Sequence, residues 1–166
     1  MKSDVFIVAD NIYSPLGKTT AENFTHLKNG VSSVKKHNDD SLSSTPIFAS
    51  LFDKDEIFIA DDRDHTKFEQ LLIASISDAL THTDLDIKNK NTVLIISSTK
   101  GNISLLETEE NIPELYKRIA MSASAKLVAD YFGFQNQPVV ISNACISGVM
   151  AIITGARLLQ AGLYEN

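Results

Sequence analysis

One stretch of the chain decides the fold class. It runs from Val139 to Val149 and reads VVISNACISGV. The first three residues are β-branched, which is typical of a short strand buried on both faces of a sheet. Small residues follow, and an apolar segment with helical spacing begins after them. The stretch therefore predicts a strand, a tight turn and a helix in direct succession, with Cys145 in the turn.

The alternation of strand and helix extends over the rest of the chain. Three more apolar runs predict strands, at Val5–Ala9, Ile57–Ala60 and Val93–Ile96. Four helices are predicted from capping signals and glycine stops: one between the Thr19–Glu22 capping box and Gly30, one over about 64–83, one over Ser122–Phe132 before Gly133, and one over Ile146–Ala161 before Gly162. This order predicts an α/β fold with a largely parallel sheet.

Apolar spacing identifies the core face of the long helix. Its residues follow i, i+3, i+4 spacing and are predicted to form core: Phe68, Leu71, Leu72, Ser75, Ile76, Ala79 and Leu80. Residues 31–56 contain few apolar side chains and predict a long surface excursion. After the last helix only Leu163–Asn166 remain, where the pattern calls for another strand. We therefore expect an exposed apolar face and interpret the chain as an N-terminal piece of a longer protein.

Composition excludes several classes of protein. The 166 residues amount to about one domain, and 43% hydrophobic residues suffice for a core. With 15 basic against 21 acidic residues the net charge is −6, which disfavours nucleic-acid and anionic-membrane partners. Cys145 is the only cysteine, so disulfides within the chain and cysteine-based metal clusters are excluded. The sequence pattern predicts neither a signal peptide nor a membrane-spanning run, and we expect a cytoplasmic protein.

Cys145 is the candidate nucleophile. A thiol at a helix N-terminus is favoured as thiolate by the helix dipole and the unpaired backbone N–H groups. The same N–H groups can stabilise an oxyanion on an attacked carbonyl. The alternative is that Cys145 is a small core residue, as many free cysteines are. Small residues on both sides of Cys145 favour the functional interpretation.

The sequence resembles the β-ketoacyl-acyl-carrier-protein synthases, condensing enzymes of the thiolase fold. Their nucleophile motif is similar to SNACISG at Ser142–Gly148. Four other blocks agree in order: Val5 through the SPLG turn that ends at Gly17, LKNGVSSV from Leu27 to Val34, the strand and loop over 93–101, and GARLLQAG from Gly155 to Gly162. The resemblance thus covers nearly the whole chain.

The resemblance implies a fold and a reaction. The fold is the N-terminal half of a thiolase-like fold, a mostly parallel mixed sheet with flanking helices and central helices, of which the Cys145 helix is one. The reaction is a Claisen condensation in fatty-acid or related polyene or polyketide biosynthesis. Cys145 takes the acyl group as a thioester, its backbone N–H supplies one oxyanion donor, and the carbanion from a malonyl-carrier thioester attacks. The resemblance implies no metal and no organic cofactor.

The resemblance also implies partners and further site residues. Leu105 and Leu106 fall where the family lines its acyl pocket, or they are plain core. Arg63 and Lys67 fall near the contact with the acyl carrier protein, although three aspartates surround Arg63. The implied assembly is a homodimer or heterodimer. The family's catalytic histidine motifs lie in its C-terminal half and match no histidine here, so we expect this chain alone to be inactive in the condensation.

Two other functions stay open. A non-catalytic partner subunit of a ketosynthase heterodimer would keep the fold and the docking of the carrier protein without turnover. A cysteine hydrolase would need a base beside Cys145, and no histidine occupies a matching position.

Overall fold

The computed structural model describes residues 4–53, 56, 58–59 and 65–166. These residues confirm the predicted α/β class. The helices are α1 Thr20–Lys28, α2 Lys67–Leu80, α3 Leu105–Thr108, α4 Pro113–Ile119, α5 Met121–Phe132 and α6 Ser147–Gln160. The strands are β1 Lys35–His37, β2 Ile47–Ala49, β3 Ile95–Ser97 and β4 Val139–Ile141.

The chain forms two compact units. The larger unit consists of the described residues of Met1–Ile7, Asp62–Leu72 and Asp84–Asn166. The smaller unit consists of the described residues of Val8–Asp61 and Ile73–Thr83.

A parallel strand pair organises the larger unit. β3 and β4 pair in the register Ile95 to Val139 and Ser97 to Ile141. Helices α5 and α6 pack on these strands. Buried apolar side chains from β3, from the residue before it and from α4 and α5 form the core: Leu94, Ile96, Leu115, Ala125, Val128 and Ala129. The β4–α6 connection therefore starts from a half-buried strand that is paired with β3 and packed against α5 and α6.

A buried polar cluster also lies in the larger unit. The carboxylate of Glu69 is fully buried and accepts two hydrogen bonds from Arg118, at 2.6 Å and 2.5 Å. The side-chain amide of Asn102 donates to Glu69 and to Ser124, at 2.9 Å each. The Thr66 hydroxyl donates to Asn102, and its backbone N–H donates to Glu69. The cluster connects the start of α2 to the loop after β3, to α4 and to α5.

These contacts determine the ionisation of Glu69. Burial alone would raise its pKa, because a low-dielectric interior disfavours the charged form. Hydrogen bonds from Arg118, the Thr66 backbone, Ser124 and Asn102 outweigh burial and hold the pKa at about 2. Glu69 is therefore a carboxylate throughout the physiological pH range.

Asn23 organises the turn before α1 in the smaller unit. Its buried side-chain amide lies 2.8 Å from the carbonyl oxygens of Ile12, Gly17 and Thr19, to which it donates. Its own oxygen accepts from the Ser14 hydroxyl. The turn over residues 12–19 is thus hydrogen-bonded to one residue of the helix that follows.

The smaller unit also contains a strand pair and a cluster of aromatic rings. β1 and β2 form an antiparallel pair in the register Lys35 to Ala49 and His37 to Ile47. The rings of Tyr13, Phe52 and Phe58 form an aromatic cluster, with centroids 5.2 to 6.0 Å apart.

Two sequence-based predictions about strands are corrected. Val5–Ala9 is not a strand: Phe6 and Ile7 are 78% and 81% exposed, and no described strand pairs with this run. An apolar run becomes a strand only where another backbone accepts its hydrogen bonds. The predicted surface excursion over 31–56 is mostly exposed where it is described, and it contains β1 and β2. The described strands form two pairs, one parallel and one antiparallel, rather than one mostly parallel mixed sheet.

The fourth predicted strand, Ile57–Ala60, lies partly outside the described residues. Phe58 and Ile59 are described, and they form a bend.

The predicted helices are confirmed with adjusted ends. The Thr19–Glu22 capping box is formed in both directions, and Gly133 ends α5 with a left-handed φ of 78°. The long helix begins at Lys67 and ends at Leu80, inside the predicted 64–83. Its most buried residues are Glu69 and Ile73, whereas the predicted core stripe is only half-buried. The apolar spacing did not predict the burial of Glu69, because a charged residue is expected at the surface unless its buried partners are known.

Candidate active site at Cys145

The strand, turn and helix predicted around Cys145 are confirmed. β4 ends at Ile141, a single 3₁₀ turn spans Ala144–Ile146, and α6 begins at Ser147. The Ile146 N–H donates to the Asn143 carbonyl at 3.1 Å and closes the 3₁₀ turn. Cys145 therefore lies between the carboxyl end of a paired strand and the N-terminus of a 14-residue helix.

Ala144, directly before the cysteine, has an unusual backbone conformation. Its φ is +46°, and among the described residues it is the one non-glycine residue with positive φ. A side chain at positive φ costs free energy, on the order of 1–3 kcal/mol, and such strain clusters at functional sites. The strain is located one residue before the candidate nucleophile.

The side chain of Ser147 holds this turn together. Its hydroxyl accepts a hydrogen bond from the Asn143 backbone N–H and donates one to the Ala144 carbonyl, at 2.8 Å each. Ser147 is only 6% exposed. From the sequence, Ser147 is only one of the small residues beside Cys145, and these two hydrogen bonds are not predicted. Its position at the start of a predicted helix, where serine commonly bonds to the backbone, was the available signal.

Gly148, the last residue of the SNACISG motif, borders open space. A Cβ atom placed there would meet no atom within 4 Å. The turn is tight at residues 143–147, and glycine at 148 leaves open space beside it.

Cys145 itself is exposed, so it is not a core residue of these 166 residues. Within residues 4–53, 56, 58–59 and 65–166, its backbone N–H donates to no carbonyl or side-chain oxygen. No histidine in these ranges hydrogen-bonds to the thiol. The turn thus offers an accessible thiol and a backbone donor, and any base would have to come from elsewhere.

The helix after Cys145 has an apolar surface. Val149 and Ile152 are 59% and 66% exposed, and Ile146 and Leu163 are exposed as well. This matches the expectation of an exposed apolar face at this end of the chain.

Leu105 and Leu106 lie at the start of α3. Leu105 lines a cleft of about 550 Å³ together with polar residues and two more apolar residues, namely His65, Thr66, Glu109, Glu110, Ile112, Glu114, Leu115 and Arg118. Leu106 is exposed and does not line this cleft. Cys145 does not line it either, so the structure does not bring the two leucines and the thiol together in one cavity.

Of the two residues predicted for docking of the carrier protein, only Lys67 is described. It is the first residue of α2 and is exposed. Arg63 lies outside the described residues.

No described helix is both long and apolar enough to cross a membrane. In the part of the chain that the structure describes, no three histidine, cysteine or acidic side chains come together as metal ligands.

No protein-family model matches the chain, and no curated protein matches it. Support for a function therefore comes from the sequence motifs and from the geometry of the Cys145 turn.

Proposed function

We propose that the chain supplies the nucleophile-bearing part of a β-ketoacyl synthase of the thiolase fold, in which Cys145 accepts an acyl group from a carrier-protein thioester. The observation that carries this proposal is the strained strand-to-helix turn at Cys145. Its motif resembles that of the condensing enzymes, and the thiol is accessible.

The geometry supports acyl transfer in particular. The thiolate of Cys145 attacks the carbonyl carbon of an acyl thioester, and the carbonyl electrons move to oxygen. The Cys145 N–H, which donates to no oxygen of the described residues, would donate to this oxyanion. When the intermediate collapses, the new bond from Cys145 sulfur to the acyl carbon stays, the old carbon–sulfur bond breaks, and the carrier thiolate leaves and takes a proton.

Condensation would follow on the acylated cysteine. A malonyl-carrier thioester loses carbon dioxide, and its carbanion attacks the acyl carbon, which frees Cys145 and gives a β-ketoacyl product. In the family, histidines of the C-terminal half assist this step, and none of the four histidines of this chain matches their motifs. Acylation of Cys145 is thus the step that this chain's own residues can perform.

The test is acylation of the purified chain by a short acyl thioester of N-acetylcysteamine, followed by intact-mass spectrometry. We expect a mass increase of one acyl group, and none in the Cys145→Ala variant. Because Cys145 is the only cysteine, no other thiol can give the adduct.

A parallel reaction with iodoacetamide separates the possible outcomes. If iodoacetamide alkylates Cys145 but the thioester leaves it unmodified, the thiol is accessible without being a nucleophile toward acyl groups. That result would contradict the synthase and favour the non-catalytic partner subunit.

Docking of the carrier protein at Arg63 and Lys67 has its own test. The double variant Arg63→Ala, Lys67→Ala should slow acylation by an acyl carrier protein about tenfold, because rim charges set the association rate. Acylation by the small thioester should not change. Equal slowing with both donors would contradict a docking role.

A further inference from the structure

Ser147 has contacts that link it to the two residues before Cys145. Its hydroxyl lies 2.8 Å from the Asn143 backbone nitrogen and 2.8 Å from the Ala144 carbonyl oxygen. Both roles of the hydroxyl are used, one as acceptor and one as donor. At 6% exposure the side chain has little access to water, so water would not readily replace a lost hydrogen bond.

These contacts oppose the relaxation of Ala144. At φ +46° an alanine is less stable than at negative φ, and it stays there only where surrounding contacts hold it. Rotation of Ala144 to negative φ would reorient its carbonyl and the peptide that joins it to Cys145. It would therefore break the hydrogen bond to Ser147 and move the Cys145 N–H.

We propose that Ser147 is a positioning residue, whose hydroxyl holds Ala144 in the left-handed conformation and thereby aims the thiol and the N–H of Cys145 at the same carbonyl group. The inference rests on the proposed function, since it assigns the geometry needed for acyl transfer. Acylation requires both the sulfur and the N–H donor in position, whereas alkylation by iodoacetamide is a displacement that forms no oxyanion. The two reactions should therefore respond differently to loss of the hydroxyl.

The first measurement compares both rates in Ser147→Ala. We expect acylation by the small thioester to slow about tenfold to a hundredfold, as a misplaced reacting group does, and alkylation to change by less than about threefold. A variant that has unfolded is recognised instead by the loss of its helical circular-dichroism signal. An unchanged acylation rate, or an equal fall in both rates, would overturn the inference.

The second measurement repeats the comparison in the Ala144→Gly background. Glycine adopts positive φ without strain, so the hydroxyl is less needed there. We expect the slowing caused by Ser147→Ala to shrink to less than about threefold. If the slowing is the same in both backgrounds, Ser147 does not act through Ala144 and the inference is wrong.

Thermal unfolding of the same four proteins decides the inference even if the wild type is not acylated. Ser147→Ala should lower the melting temperature more in the wild type than in the Ala144→Gly background, because the two residues are energetically coupled. Equal decreases would overturn the inference. Coupling without acylation would instead reject the proposed function and leave the structural role of Ser147 standing.

Discussion

Arg118 and Glu69 form a two-point ion pair, with Nη1 2.6 Å from Oε1 and Nη2 2.5 Å from Oε2. The Glu69 side chain is fully buried, and the Arg118 side chain is 31% exposed. A buried charge is tolerated only while its partner is present. Removing one member of the pair should therefore lower the free energy of unfolding strongly.

Replacing Arg118 by Met should destabilise the larger unit by about 3–5 kcal/mol, because Glu69 would stay buried without its cation. Urea unfolding at pH 7 measures the change. The control is Lys126→Met, which breaks a pair with Asp130 in which both side chains are more than half exposed. That change should cost less than about 1 kcal/mol. Equal losses in the two variants would contradict the importance of burial.

Glu69 also makes stability depend on acid. Its pKa is about 2 in the folded chain against 4.5 for an ordinary glutamate, so folding favours the carboxylate. The stabilisation is complete above about pH 4.5 and is lost as the pH falls toward about 2, by about 3 kcal/mol in total. In Glu69→Gln this acid-dependent contribution is absent. The stability difference between wild type and variant should therefore narrow from pH 5 to pH 2, and a constant difference would refute the assignment.

Asn23 should not tolerate replacement by aspartate. The buried amide donates to three carbonyl oxygens, whereas a carboxylate has no proton to donate and would face those oxygens with negative charge. We expect Asn23→Asp to cost more than about 3 kcal/mol at pH 7 by urea unfolding, since a buried group loses its partners. Asn29→Asp, at the exposed end of α1, is the control and should change stability by less than about 0.5 kcal/mol.

Loss of the capping box of α1 should lower stability by less than the Asn23→Asp substitution does. In Thr19→Ala the Glu22 N–H loses its side-chain acceptor, and stability should fall by about 1 kcal/mol. Thr25→Ala removes a hydroxyl that donates to the Ala21 carbonyl inside the same helix, where alanine is the better helix former. Thermal unfolding should therefore show a lower melting temperature for the first variant only. A matching decrease for the second would mean that any threonine in α1 matters equally.

Local signals predicted much of this structure. The capping box at Thr19, the glycine at 133 and the strand-to-helix turn at Cys145 each depend on residues close in sequence, and all three are formed. Predictions that needed distant partners were less successful. Val5–Ala9 has the composition of a strand but no described strand beside it.

In the candidate site, too, some features follow from the local sequence pattern and others do not. The position of Cys145 at the start of a helix follows from the pattern around it. The positive φ of Ala144 and the two hydrogen bonds of Ser147 do not, because alanine and serine are compatible with many turn conformations. The burial of Glu69 depends on Arg118, which is 49 residues away along the chain.

The pairing of β3 with β4 has a consequence for folding. Ile95 pairs with Val139, so the chain between them must be brought into a closed loop before the strands can meet. Such non-local pairings form slowly, after local helices such as α5. The turn that carries Cys145 is anchored on β4, so its final geometry depends on one of the latest events in folding. Refolding kinetics followed at Cys145 should consequently lag behind the recovery of helical content.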